Sequence, residues 1–197
     1  MVKDRFWAFT GVTVHAGRML GGTTGRVLGG TRREGGVEMI DGPFFVLVVV
    51  AIVGTGLMAG VFCAFSTFVM RGLATLPPAQ GAAAMNAINA AAVRPAFMAV
   101  FTGSAVLSAM IAVVTFVVWP DEGKLALLLG SALYLLGSFG LTIVANVPRN
   151  ARLARMPPGA PEAAVYWTAY VREWTWWNHV RAAASAAATL VYVLALA

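Results

Sequence analysis

The chain has 197 residues, of which 59% are apolar and only 11% charged. Soluble domains run nearer about 45–50% and about 25%, so this chain can neither cover a water-facing surface with charge nor stay unfolded in water. Its formal charge of +6 forms no basic, aromatic-studded face, which excludes nucleic acid as a partner, and the lone Cys63 excludes an internal disulfide or a cysteine-based metal cage.

Residues 1–40 are glycine-rich, with scattered arginines and no helical period. They lack the apolar core of a signal peptide. They read as a disordered tail or as an over-extended gene start with initiation near Met39, and residues 41–197 read as the folded domain. Charge-free intervals at 42–70, 95–120, 125–148 and 182–197 then set the organisation. A bilayer core of about 30 Å takes about 20 helical residues. Four transmembrane helices are expected, at about 44–69, 96–118, 125–147 and 176–196. The last reaches full length only if Arg181 snorkels or is paired inside the protein.

Residues 72–93 also lack charge, but they open on Pro77-Pro78, are mostly alanine, and carry Asn86 and Asn89. This segment reads as a short interfacial helix over 78–92, not a fifth span. The fold class is therefore all-α: a polytopic, up-down four-transmembrane-helix bundle in the cell membrane, with the lipid bilayer as its first partner. In helix 1, Gly56, Gly60 and Ala64 recur at the spacing that lets helices approach closely. Arg71, Arg94, Arg149, Arg152, Arg155, Arg172 and Arg181 fall on the side of the two long connections, against Lys124 alone on the other once the tail is set aside. That asymmetry puts the long connections in the cytoplasm and both termini outside.

An up-down bundle brings the ends of helices 1 and 3 to the same face as the starts of helices 2 and 4. Polar residues crowd there: Ser66, Thr67 and Arg71 close helix 1, Asn146 and Asn150 flank Pro148 at the end of helix 3, and WTWWNHVR (174–181) opens helix 4. Proline removes one helical hydrogen bond and frees a carbonyl, so the asparagines either cap a broken helix or offer donors to a ligand. At about 100° per residue, Tyr170, Trp174, Trp177, Asn178, Arg181, Ser185 and Tyr192 fall on one stripe, which should face the protein interior rather than lipid. His179 lies about 140° off that stripe and reads as an interfacial side chain as readily as a base. Trp174 and Trp177 suit either a stacking wall or an aromatic belt. Arg181, at the start of a span, needs a partner or an anionic ligand. The spans contain no acid, which argues against a di-iron site, and no metal is expected.

Three blocks, GVFCAFSTFVMRGLATLPPAQG at 60–81, NVPRN at 146–150 and WTWWNHVR at 174–181, together resemble the anthrone oxygenase-like family of small integral membrane proteins. The resemblance implies oxidation of a planar aromatic, anthrone-like substrate by O2 without a cofactor. It implies that Asn146, Asn150 and Arg181 hold the keto or enolate oxygen while Trp174 and Trp177 stack on the rings, with His179 or a water held by Asn178 as the base. Thr67 and Tyr170 complete the expected binding set. The alternative function is non-catalytic: binding or passing a small hydrophobic or anionic molecule.

Overall fold

The computed structural model describes residues 42–120, 122–157 and 160–197, which lie in one compact unit, Val37–Ala197. The expected tail falls outside the described residues. Those residues form helices and no strands. We name them α1 (Pro43–Ala74), α2 (Pro78–Ala92), α3 (Pro95–Val118), α4 (Lys124–Ala154) and α5 (Pro161–Ala195). Proline sits in the first turn of α1, α2, α3 and α5, where its missing N–H costs nothing and its fixed φ favours helix initiation.

Three helices, α1, α3 and α4, are long and apolar enough to cross a membrane. Their outward faces carry large exposed apolar side chains such as Val53, Leu57, Val113, Phe116, Leu129 and Leu136. A water-soluble fold would bury such residues; the chain is a membrane protein. Of the other two helices, α5 is long enough but carries Arg172, Glu173, Asn178, His179 and Arg181 along its length. Eleven of its residues are buried, among them Asn178, Arg181, Ser185 and Tyr192. Helices α1, α2 and α4 pack against it, while α3 packs against α1 and α4.

Three apolar layers hold the assembly. The first joins Val48 of α1, Ile111 of α3, Leu127 of α4 and Tyr192 of α5. The middle layer joins Met58, Phe62, Phe101, Tyr134 and Ala188. The third joins Met70, Met85 of α2, Leu153, Trp167, Tyr170 and Trp174. Hydroxyls lace the layers across α5: Tyr192 to Ser131 at 3.0 Å, Ser185 to Ser138 at 2.9 Å and Thr189 to Thr55 at 2.9 Å. Each is worth on the order of 0.6 kcal/mol in a membrane setting.

Helix boundaries depart from expectation in two places. First, α4 is not broken at Pro148. Two widened turns, Leu133–Gly140 and Thr142–Asn146, carry it through, with the Leu141 N–H bonding Leu136 O and the Val147 N–H bonding Thr142 O. The extra residue per turn makes room for the proline ring, and Arg149 Nη1 donates to Ala145 O at 2.8 Å. Asn146 and Asn150 are therefore side chains of a continuous helix, not caps of a broken end. Second, WTWWNHVR does not open the last helix: α5 begins at Pro161, so the block lies in mid-helix. Arg172 and Glu173 mask this start in the sequence because they interrupt the apolar run.

The small-residue stripe is also displaced. Gly60 faces nothing within 4 Å, and Gly56 makes only ordinary contact with Thr189. Close approaches fall instead at Gly54 against Ser104 of α3, at Gly130 against Tyr192, and at Gly137, where a Cβ would come within 2.6 Å of Ala184 Cβ.

Candidate functional site: a polar-seated cavity between helices

Helices α1, α3, α4 and α5, with α2 laid across one end, line a half-open cavity of about 550 Å³, within the range of about 300–1,000 Å³ typical of small-molecule sites. Its walls are apolar, with Phe62, Phe65, Phe97, Phe101 and Phe139 prominent. Its polar groups are few: Asn89, Thr102, Thr142, Asn146, Asn150 and Arg181.

Arg181 is 4% exposed and has no carboxylate partner among the described residues. Its Nη1 donates to Thr142 Oγ1 at 3.0 Å and its Nη2 to Asn178 Oδ1 at 2.7 Å. The guanidinium lies over the ring of Phe62, 4.3 Å from its centroid, with Trp174 at 5.2 Å. Nε has no partner. Because guanidinium only donates, Asn178 must turn its Oδ1 toward Arg181. Its Nδ2 then donates to Phe62 O at 2.7 Å and Ser66 Oγ at 2.8 Å. Asn178 is thereby committed to orienting Arg181 and tying α5 to α1.

A second chain of donors runs along the other side. Trp174 Nε1, donor only, bonds Asn150 Oδ1 at 2.9 Å, and the Tyr170 hydroxyl donates to the same oxygen at 2.8 Å. That fixes the Asn150 amide, whose Nδ2 donates to Asn89 Oδ1 at 3.1 Å. Asn89 Nδ2 is left as a buried donor without a partner. Asn146, 1% exposed, bonds Trp174 O through Nδ2 at 3.4 Å, which leaves its Oδ1 unpartnered. Arg181 Nε, Asn89 Nδ2 and Asn146 Oδ1 are thus two donors and one acceptor without partners among the described residues, buried in the wall of the cavity on residues that line it. Burial raises the Tyr170 hydroxyl above its ordinary value of 10.0, so it remains a proton donor across the physiological range.

Of the residues singled out in the sequence, Asn146, Asn150, Trp174 and Arg181 line this one cavity. Tyr170 and Asn178 stand behind it, each bonded to a lining residue. Trp177 is half-buried and is not among the lining residues. Thr67 is exposed and bonds Cys63 O within its own helix at 2.7 Å. His179 is exposed on the opposite side of α5, in a separate cleft with Arg71 and Arg172. Sequence reasoning missed Asn89. Its signal was the pair of asparagines in an otherwise alanine-rich helix, taken there only as evidence against a membrane span.

The described residues thus form an all-helical membrane protein with a largely apolar cavity on which a few polar side chains converge. The sequence profile of the anthrone oxygenase family matches residues 94–191, a stretch that contains both NVPRN and WTWWNHVR. The chain belongs to an anthrone oxygenase-like family. No curated protein and no solved structure matches it.

Proposed function

We propose that this protein oxidises a planar aromatic, anthrone-like substrate with O2 inside the cavity, as a multi-pass protein of the cell membrane in which α5 makes the fourth crossing of an up-down bundle. The observation that carries this reading is the buried Arg181, with no acidic partner among the described residues, lining an apolar cavity beside Asn89 and Asn146. A flat ring system with a keto oxygen and a hydroxyl is complementary to that set. The keto oxygen takes the Arg181 and Asn89 donors, a hydroxyl donates to Asn146 Oδ1, and Trp174 and Phe62 cover the rings.

Loss of a proton from the activated methylene puts negative charge on the keto oxygen. A pre-oriented guanidinium in a dry site stabilises that charge, and one such donor is typically worth about 10²–10³ in rate. The electron-rich ring carbon then adds O2. Cleavage of the O–O bond with loss of the second C–H gives the new carbonyl and one water, so methylene plus O2 balances to ketone plus water. The proton acceptor in this reading is a water admitted to the cavity with the substrate, since Asn178 is already engaged with Arg181, Phe62 and Ser66. The cavity is rimmed by the exposed apolar side chains Val93, Met98, Ile143 and Val147, which suits a substrate arriving dissolved in the lipid.

One observation favours the alternative of a non-catalytic carrier or binder: no carboxylate, imidazole or thiol lines the cavity. Oxygen uptake by the purified protein supplied with an anthrone separates the two. Uptake that disappears in both Arg181→Ala and Asn146→Ala supports the oxygenase. Equal uptake in the wild type and both variants removes it.

A further inference from the structure

A second cleft, on the far side of α5 from the cavity, lies between the last turns of α1 and the middle of α5. It has a volume of about 330 Å³. Its polar lining consists of Arg71, Arg172, His179, Ser66, Thr175 and the indole of Trp176. No carboxylate lines it among the described residues. Glu173, next in sequence to Arg172, is turned toward α4, where it pairs with Arg149 at 3.1 Å. Arg71 and Arg172 are both exposed and have no acidic partner among the described residues.

The two hydroxyls in the cleft are uncommitted donors. Thr175 Oγ1 is buried and without a partner. Ser66 Oγ accepts from Asn178 Nδ2, and Asn178 also occupies the Phe62 carbonyl to which a helical serine ordinarily bonds. The Ser66 proton is therefore left for another acceptor. Arg71 ends the charge-free stretch 42–70, and Trp176, 63% exposed, stands beside it. Tryptophan and arginine at the end of an apolar span mark the headgroup level of a bilayer.

We propose that this cleft binds a phosphate ester, presented by the headgroup of an anionic lipid. Two guanidiniums, with Ser66, Thr175 and Trp176 beside them, line a space that no carboxylate enters among the described residues, and a phosphate diester supplies several strong acceptor oxygens to such a set. The lipid chains continue along the exposed apolar faces of α1 and α5. This assignment is independent of the oxidation reading, since none of the residues that line the cleft lines the cavity.

The test is native mass spectrometry of the full chain in neutral detergent, titrated with phosphatidylglycerol or with phosphatidylcholine of the same acyl chains. The expected result is retention of one phosphatidylglycerol at ratios where phosphatidylcholine is lost. Loss of one charge-assisted contact is worth about tenfold in affinity, so the Arg71→Gln/Arg172→Gln double variant should bind about 100-fold more weakly. Both positions are exposed, so folding is retained. The Arg94→Gln/Arg155→Gln variant, on the same face but outside the cleft, should match the wild type. Equal retention of the two lipids, or equal loss in the two double variants, would overturn the proposal. Excess glycerol phosphate distinguishes the source: failure to displace the lipid places the phosphate on a headgroup, and displacement at equal concentration assigns a soluble phosphate ester to the same site.

Discussion

Asn150 is the residue on which the cavity's polar side turns, and its removal has a calculable cost. Asn150→Ala orphans the Tyr170 hydroxyl and Trp174 Nε1, which donate to Asn150 Oδ1 at 2.8 and 2.9 Å. Tyr170 is 1% and Trp174 5% exposed, so neither group can turn to water. Asn89 faces the cavity and can re-pair there. Two orphaned donors at about 1–3 kcal/mol each give a destabilisation of about 2–6 kcal/mol. Tyr170→Phe removes one of those donors in advance. Asn150→Ala made in that background should therefore cost about 1–3 kcal/mol less than in the wild type. Reversible unfolding in mixed micelles, followed by tryptophan fluorescence, measures the cycle. Additivity within about 0.5 kcal/mol would refute the shared-acceptor network.

Three further outcomes follow from the packing, the site and the topology. Gly137→Ala should destabilise by about 1–3 kcal/mol, because the new methyl meets Ala184 Cβ at 2.6 Å, whereas Gly60→Ala meets nothing within 4 Å and should gain up to about 1 kcal/mol of helix propensity; thermal unfolding midpoints of the pair check this. With an anthrone as substrate, His179→Ala should keep O2 uptake within about twofold of wild type while Arg181→Ala loses about 10²–10³, and a His179→Ala loss as large as that of Arg181→Ala would put the base in the wrong cleft. A reporter fused after Ala197 should read outside the cytoplasm by the arginine asymmetry, and a cytoplasmic signal would invert the topology.

The helices were legible in the sequence wherever a single physical signal dominated. Absence of charge located α1, α3 and α4 as apolar helices, and Pro78 marked the start of α2 because proline is welcome only in a first turn. The start of α5 was not legible. Its first turns leave the apolar zone, so composition changes at residue 176 although the backbone hydrogen bonds do not. The passage of α4 through Pro148 was hidden for a related reason: widened turns leave no mark in residue type. Within the site, the helical stripe correctly grouped Trp174, Asn178 and Arg181 on the buried face of α5. The contribution of Asn89 depends on how α2 folds back over the cavity, which no local periodicity records. The separation of His179 from Arg181 was already visible as an angle on the helix.

In the proposed reaction an oxygen atom from O2 enters a substrate held against Arg181. Turnover of an anthrone under isotopically heavy O2, followed by mass analysis of the quinone, tests it most directly. One heavy oxygen per product molecule is expected, with O2 consumed in equal amount and no labelling in Arg181→Ala. A wild-type protein that yields no quinone, or a quinone whose new oxygen comes from water, would contradict it.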